Sequence, residues 1–243
     1  MQLKNNTVLI TGGNSGIGLA LALRFLRDGN RVLICGKDPV KLAAVQAANP
    51  GLETVLCDVS REEDRIRLFE TVRDQYPETN ILINNAGIQQ VLDVTQMDWA
   101  AWRKELDTDL LAPVHLSGLF IPFLTGKENA WIVNVSSGLA FFPPIRKPVY
   151  GAAKSGLHAF TFTMRQQLVD TGVGVVEIIP PAVNTNLGGA GVHAAGADVD
   201  EFADSVYADL GRGAEEIFFG FGAKNADRTR RELEAGAIAA DKR

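Results

Sequence analysis

The segment running from Thr7 to Gly18 constrains this chain more than any other. An apolar run, Thr7–Thr11 (TVLIT), leads straight into Thr11-Gly12-Gly13-Asn14-Ser15-Gly16-Ile17-Gly18. From Gly16 to Asp28 the apolar residues Ile17, Leu21 and Phe25 recur at helical spacing, and Gly29 ends the stretch. A strand, a glycine turn and a helix in that order form a unit whose helix N-terminus aims free N–H groups and a positive dipole end past the strand tip. Gly12 suits a tight turn, Gly16 lets backbone approach a pyrophosphate, and Gly18 lets the helix pack closely on a sheet. The alternative is a glycine-rich connection with no ligand; the flanking strand and helix favour a bound nucleotide.

The same alternation continues along the chain. Strands are expected at Arg31–Cys35, Glu53–Cys57, Asn80–Asn84, Trp131–Val135, Val173–Ile179 and Glu216–Gly220. Helices are expected at Val40–Ala48, Glu62–Gln75, Met97–Phe123, Val149–Thr171 and Val199–Leu210, with a break at Pro113. The strand runs are apolar on both faces, as parallel strands covered by helices must be. The expected fold is therefore α/β: a single-domain Rossmann fold, a doubly wound parallel sheet of about seven strands with helices on both faces. Residues 1–243 read as one dinucleotide-binding and catalytic domain. The Gly/Ala-rich segment Asn184–Ala197 opens a region, 184–215, expected to be a mobile substrate loop, and Asp227–Arg243 is expected to fray.

Composition fits a soluble globular chain of 243 residues, with 46% hydrophobic and 22% charged residues. A net charge of −5 without a basic run points away from nucleic acid and anionic membranes. No stretch reaches the roughly 20 apolar residues of a membrane span, and the N-terminus lacks the pattern of a signal peptide, so a cytoplasmic location is expected. Cys35 and Cys57 each close an apolar run and read as reduced, packed thiols. His115, His158 and His193 show no metal-ligand spacing, and no metal is expected.

Tyr150-Gly151-Ala152-Ala153-Lys154 is a YxxxK motif at the start of a helix. Residues four apart share a helix face, and an ammonium beside a phenol lowers its pKa. Tyr150 can then exchange a proton with a developing alkoxide. A surface Tyr/Lys pair is the competing reading of the motif alone.

The spacing TGxxxGxG, the NNAG segment Asn84-Asn85-Ala86-Gly87 and the element Cys57-Asp58-Val59 together resemble the short-chain dehydrogenase/reductase family. The resemblance implies that Asp58 bonds the adenine amino group and that Val59, Asn85, Ala86 and Gly87 line the cofactor; Asp58 and Ser60 also read as helix caps. Where NAD enzymes place an acid after the second strand, this chain has Gly36 followed by Lys37. A ribose 2′-phosphate needs a cation, and Asn14 and Ser15 can donate to it, so NADP(H) is expected over NAD. Lys37 also reads as a solvated lysine.

The resemblance further assigns Ser137, 13 residues before Tyr150, to the substrate oxygen, and Lys154 to the nicotinamide ribose. It gives Val183 and Thr185 to the carboxamide. Two departures stand out: Pro181 replaces a glycine, and Asp109 replaces an asparagine of a proton relay. A carboxylate there only accepts, so Asp109 is expected in the site in an altered role, paired with Lys154, or else bonded to backbone. The phrases NNAGIQ, LLAPVHLS and PPAVNT are similar to a bacterial subgroup labelled by association with cell-wall D-alanylation, a label that defines no reaction.

The implied activity is NADP(H)-dependent hydride transfer to or from a small carbonyl or alcohol. Gly138, Leu139, Phe141, Phe142, Pro143, Gln89 and Val91 are expected to face the substrate, the two phenylalanines reading equally as core. Arg146 and His193 are the candidates for holding a carboxylate. The family implies a homodimer or homotetramer. The alternatives are an NADP(H)-binding regulator with little turnover and an epimerase or dehydratase of the same fold.

Overall fold

The computed structural model describes residues 1–142, 144–220, 231–232, 236 and 238–239. Seven parallel strands form one sheet: β1 (Thr7–Thr11), β2 (Arg31–Gly36), β3 (Leu52–Leu56), β4 (Thr79–Asn84), β5 (Trp131–Val135), β6 (Gly174–Ile179) and β7 (Glu216–Phe218). Their order across the sheet is β3-β2-β1-β4-β5-β6-β7. The chain reverses its direction of travel between β1 and β4, which opens a crevice at their carboxyl ends.

Successive residues of each strand feed two separate cores. Val8, Ile10, Val32 and Ile34 pack with Leu21 and Phe25 of α1 (Gly16–Arg27) and with Phe202, Val206 and Leu210 of α7 (Val199–Arg212). Leu9, Leu33, Leu82 and Ile132 pack on the other face with Leu68 of α3 (Glu62–Gln75), Phe120 of α5 (Ala112–Leu124) and Met164 of α6 (Pro148–Gln167). The second helix, α2 (Pro39–Ala48), is capped by Asp38, whose carboxylate accepts from the Val40 and Lys41 N–H groups. A buried Arg24 ties α1 to α7, with Nε 2.9 Å from Asp204 and Nη2 donating to the Asp200 carbonyl at 2.8 Å.

A polar seam crosses the second core beneath the crevice. Asn84 pairs with Asn134 in the β4–β5 register, and Asn134 with Glu177 in the β5–β6 register. Asn84 Nδ2 donates to Asn134 Oδ1 at 2.9 Å, and Asn134 Nδ2 donates to Thr161 Oγ1 at 2.8 Å. Glu177 is fully buried, and its Oε2 lies 2.9 Å from Nδ1 of His158 on α6.

Three sequence expectations shift. The helical region expected at Met97–Phe123 is two helices as expected, α4 (Trp99–Leu106) and α5, but they join through one π turn at Asp107–Leu111, ahead of Pro113. The break precedes Pro113 because a proline in the first turn of α5 removes an N–H that has no intrahelical partner anyway. Helix α6 ends at Gln167 rather than Thr171, where Thr171 turns back to bond the Leu168 carbonyl. Within the region 184–215, α7 is a regular helix with a buried face, so the long stretch without helix or named strand is 184–198, with 213–215 a short turn after α7. That stretch is tied back by a bridge between Val183 and Ala197. Most of Asp227–Arg243 lies outside the described residues, as does Pro143.

Both cysteines are free and buried. Among the described residues no helix is long and apolar enough to cross a membrane.

Candidate active site

At the carboxyl end of the sheet lies a cleft of about 1430 Å³. One end is built by the glycine turn. Gly12 has φ +64° and Gly16 φ +51°, which favour glycine. A Cβ on Gly18 would come 2.4 Å from Asn85 Nδ2 and 2.6 Å from the Gly12 carbonyl, so close packing here excludes a side chain. Thr11, which the sequence reading left out, staples the turn to the loop after β4: its Oγ1 accepts from the Asn85 and Ala86 N–H groups at 2.9 and 3.0 Å. Asn85 Nδ2 returns a bond to the Thr11 carbonyl at 2.8 Å. Helix α1 has no side-chain cap at Ser15, which leaves its first N–H groups available to a ligand.

Gly12, Asn14, Ser15, Gly16, Ile17, Lys37, Asp58, Val59, Asn85, Ala86, Gly87, Val183 and Thr185 all line this cleft, with Ser137, Tyr150, Lys154 and Asp109. Gly18 stands behind it as packing. Asp58 Oδ1 accepts from both the backbone N–H and the hydroxyl of Ser60, so Ser60 is held rather than capping α3. The Thr185 methyl stands beside Gly16, where a Cβ would meet it at 3.2 Å. Pro181 lines the cleft, and its neighbour Pro180 accepts from the Gly138 N–H at 2.9 Å.

Tyr150 and Lys154 are one turn apart on α6 and almost fully buried, with Lys154 Nζ 5.7 Å from the Tyr150 ring centroid. Ser137 follows β5; its Oγ accepts from the Leu139 N–H at 3.1 Å, and it acts to lower the pKa of the neighbouring phenol. Lys154 Nζ donates to the Val135 carbonyl at 3.1 Å and stands 3.3 Å from Asp109 Oδ1. Asp109 has no exposed surface and also accepts from the Ile88 N–H, so both sequence alternatives for it hold at once.

The electrostatics follow from this burial. Burial pushes the Asp109 carboxyl up to about 6, with the Lys154 ammonium opposing. Burial works against the Lys154 ammonium, but Asp109 outweighs it and Lys154 ends above its ordinary value. The Tyr150 phenol is also raised: burial dominates, Lys154 opposes, and Asp109 adds to the rise. Lys154 acts in the expected direction, yet the expected lowered phenol is not the net result, because burial outweighs the ammonium and Asp109 adds to the rise. Behind Asp109, Glu105 is buried and pushed up to about 7 by desolvation; its Oε1 accepts from the Gln90 N–H at 2.8 Å and its Oε2 has no partner among the described residues.

Of the residues expected to face a substrate, Gly138, Leu139, Phe142 and Gln89 line the cleft. Phe141 instead packs edge-to-face against His158 with centroids 4.5 Å apart, and Val91 is exposed. Lys147, absent from the sequence reading, also lines the cleft. A lysine just before a helix reads as a solvated residue, and no local pattern marks it.

Comparison with known proteins gives a concordant picture. A family model described as short chain dehydrogenase matches residues 6–194. The "Uncharacterized oxidoreductase DltE" of Bacillus subtilis (strain 168) is 47% identical over 189 residues, 77% of this chain and 75% of that protein. A short chain dehydrogenase from Burkholderia cenocepacia J2315 in complex with NADP superposes with a TM-score of 0.85 at 26% identity, covering 98% of this chain and 99% of that one. A short chain dehydrogenase/reductase from Burkholderia phymatum in complex with NAD gives a TM-score of 0.83 at 21% identity, covering 90% of each chain, a likeness of fold alone.

Proposed function

This chain belongs to the short-chain dehydrogenase family and is an oxidoreductase of that family, and from that premise we propose that it moves a hydride between NADP(H) and a small carbonyl or alcohol, with Tyr150 as the general acid–base. The observation that carries the reading is one continuous cleft with the glycine turn at one end and Ser137, Tyr150 and Lys154 at the other.

The residues fit a dinucleotide. The uncapped α1 N-terminus suits a pyrophosphate, and Gly12, Gly16 and Ile17 leave backbone exposed to it. Asp58, Val59, Asn85 to Gly87, Val183 and Thr185 line the cleft; in this reading Asp58 and Val59 would meet the adenine, Asn85 to Gly87 the ribose side, and Val183 and Thr185 the carboxamide. The preference for NADP(H) is supported at Gly36. A Cβ there would come 2.8 Å from Asn14 Nδ2, so an acidic side chain would have to displace the Asn14 amide. Lys37 is exposed at the cleft, and the nearby Asp38 carboxylate is engaged in capping α2. A 2′-phosphate would meet a cation and the Asn14 and Ser15 donors.

When bound, the nicotinamide supplies or takes the hydride. The chain's own groups handle the proton and the charge. The Ser137 hydroxyl donates to the substrate oxygen as negative charge builds there. Tyr150 holds a proton at Oη and gives it to that oxygen in reduction, or takes it back in oxidation. The Lys154 ammonium stabilises the phenolate left behind, and Asp109 positions Lys154. Residues 184–198, within the region 184–215, serve as the substrate-facing loop of a single catalytic domain. Exposed Phe162 on α6 supports assembly into a homodimer or homotetramer, and we place the chain in the cytoplasm.

The ion pair between Asp109 and Lys154 favours a second reading, an NADP(H)-binding regulator with little turnover. A panel of ketones and aldehydes with NADPH and NADH in parallel separates the two. Turnover is expected with NADPH, and Tyr150→Phe is expected to lose about 10²–10⁴-fold in rate while still binding NADPH. Flat absorbance despite tight NADPH binding supports the regulator. Product without net cofactor change supports an epimerase or dehydratase, and equal rates for both proteins remove Tyr150 from the mechanism.

A further inference from the structure

We propose that Lys147, His193 and Gln89 form an anion-binding subsite for a substrate carboxylate, so that the substrate is an oxo- or hydroxy-acid rather than a neutral ketone or alcohol. The inference rests on the redox reading for its chemistry, but not for its geometry.

Lys147 Nζ donates to Gln89 Oε1 at 2.5 Å, and His193 Nε2 lies 3.0 Å from that same oxygen. Two basic side chains thus converge on one neutral amide oxygen inside the cleft. Among the described residues no carboxylate pairs with either of them. Glu105 acts on Lys147 through its charge, but its Oε1 is engaged by the Gln90 N–H and neither of its oxygens bonds Lys147. Burial pushes both basic groups below their ordinary values, and Lys147 adds to the fall of His193. A partly desolvated ammonium with no carboxylate in contact is costly to hold. An arriving carboxylate removes that cost and forms charge-assisted hydrogen bonds with Lys147 and His193, while Gln89 turns its amide NH₂ toward the anion.

The placement puts the subsite in the cleft that holds the reacting groups. Lys147 is the N-cap residue of α6, three residues before Tyr150, and both line that cleft, so a substrate held at Lys147 shares the cavity with the phenol. His193 reaches Gln89 from the loop at 184–198. Gly188 there has φ +77°, and a Cβ on it would meet the Gln89 carbonyl at 3.3 Å, so glycine lets the loop run close over Gln89. The subsite is therefore assembled from two sides, by the start of α6 and by the loop. Arg146, considered at the outset for this task, is exposed and outside the cleft lining, so its neighbour Lys147 takes its place.

The test compares 3-oxobutanoate with its neutral methyl ester as substrates with NADPH. The wild type is expected to favour the acid by about tenfold or more in kcat/KM, mainly through KM. That acid-to-ester ratio is expected to fall about tenfold in Lys147→Met and in His193→Leu, the second change lying on a surface loop, and to be largely kept in Lys147→Arg. Calorimetric titration of the NADPH-loaded protein with 3-hydroxybutanoate reads the subsite without turnover. Binding is expected in the wild type and in Tyr150→Phe, and at least tenfold weaker in Lys147→Met. Binding through Lys147 with no turnover of either substrate keeps the subsite and sinks the redox reading. Reduction of neutral carbonyls with an unchanged acid-to-ester ratio in Lys147→Met, or no binding of the hydroxy acid, overturns the subsite and leaves the redox reading standing.

Discussion

Asp109 holds a negative charge where two neighbours feel it in opposite ways. It steadies the Lys154 ammonium at 3.3 Å and makes the Tyr150 phenolate harder to form. Removing the charge while keeping the shape, as in Asp109→Asn, takes away an anion that raises the phenol's pKa. The phenol is then expected to ionise at lower pH. Because alcohol oxidation needs the phenolate, the acid limb of the kcat/KM profile for oxidation is expected to move to lower pH in Asp109→Asn. An unmoved limb, or one displaced upward, rejects the coupling. The carboxyl, held at about 6, also lets the ion pair lose its anion in mildly acidic solution.

At the scale of single elements, the βα unit at the start of the chain depends on the absence of side chains. Gly18→Ala sets a methyl against Asn85 and the Gly12 carbonyl, within 2.4 and 2.6 Å. The expected cost is about 1–3 kcal/mol, seen as a lower thermal midpoint together with weaker NADPH binding; an unchanged midpoint and affinity would show that the turn yields freely. This unit was legible in the sequence because only glycine satisfies its backbone angles and close approaches, and its order between strand and helix is local. Tyr150 and Lys154 were legible for the same reason, four residues apart on one helix. The π turn was not, because Pro113 dominates the pattern although the helix departs from α geometry before it, at Asp107. Lys147 escaped because its partners lie far off in the chain, Gln89 by 58 residues, and only the folded loop brings His193 to the same oxygen. Local pattern identifies an element and its face; it does not reveal which distant side chain will share an oxygen with it.

The whole molecule is a two-faced sheet, and a strand of it meets a helix of the second face through charge at His158 against Glu177. The hydrogen bond to Glu177 holds the His158 imidazolium above its ordinary pKa, with burial opposing. A histidine raised on folding stabilises the native state fully below its unfolded value near 6.5, and that gain fades as pH rises through the folded value. Global stability from denaturant unfolding is therefore expected to decline over that interval in the wild type. In His158→Gln, which keeps a partner for Glu177 without a titrating charge, the slope is expected to flatten; equal slopes in the two proteins would exclude the pair as its source. The amides beside this pair do more than fill space. Sliding β5 by one residue would turn Asn134 to the opposite side, among valines and isoleucines; sliding it by two would set Asn134 opposite Leu82. Either error strands an amide in a dry interior, at about 1–3 kcal/mol for each group left without a mate. The Asn84–Asn134–Thr161 chain thus proofreads strand alignment during assembly, a discrimination that interchangeable aliphatic side chains are too alike to supply.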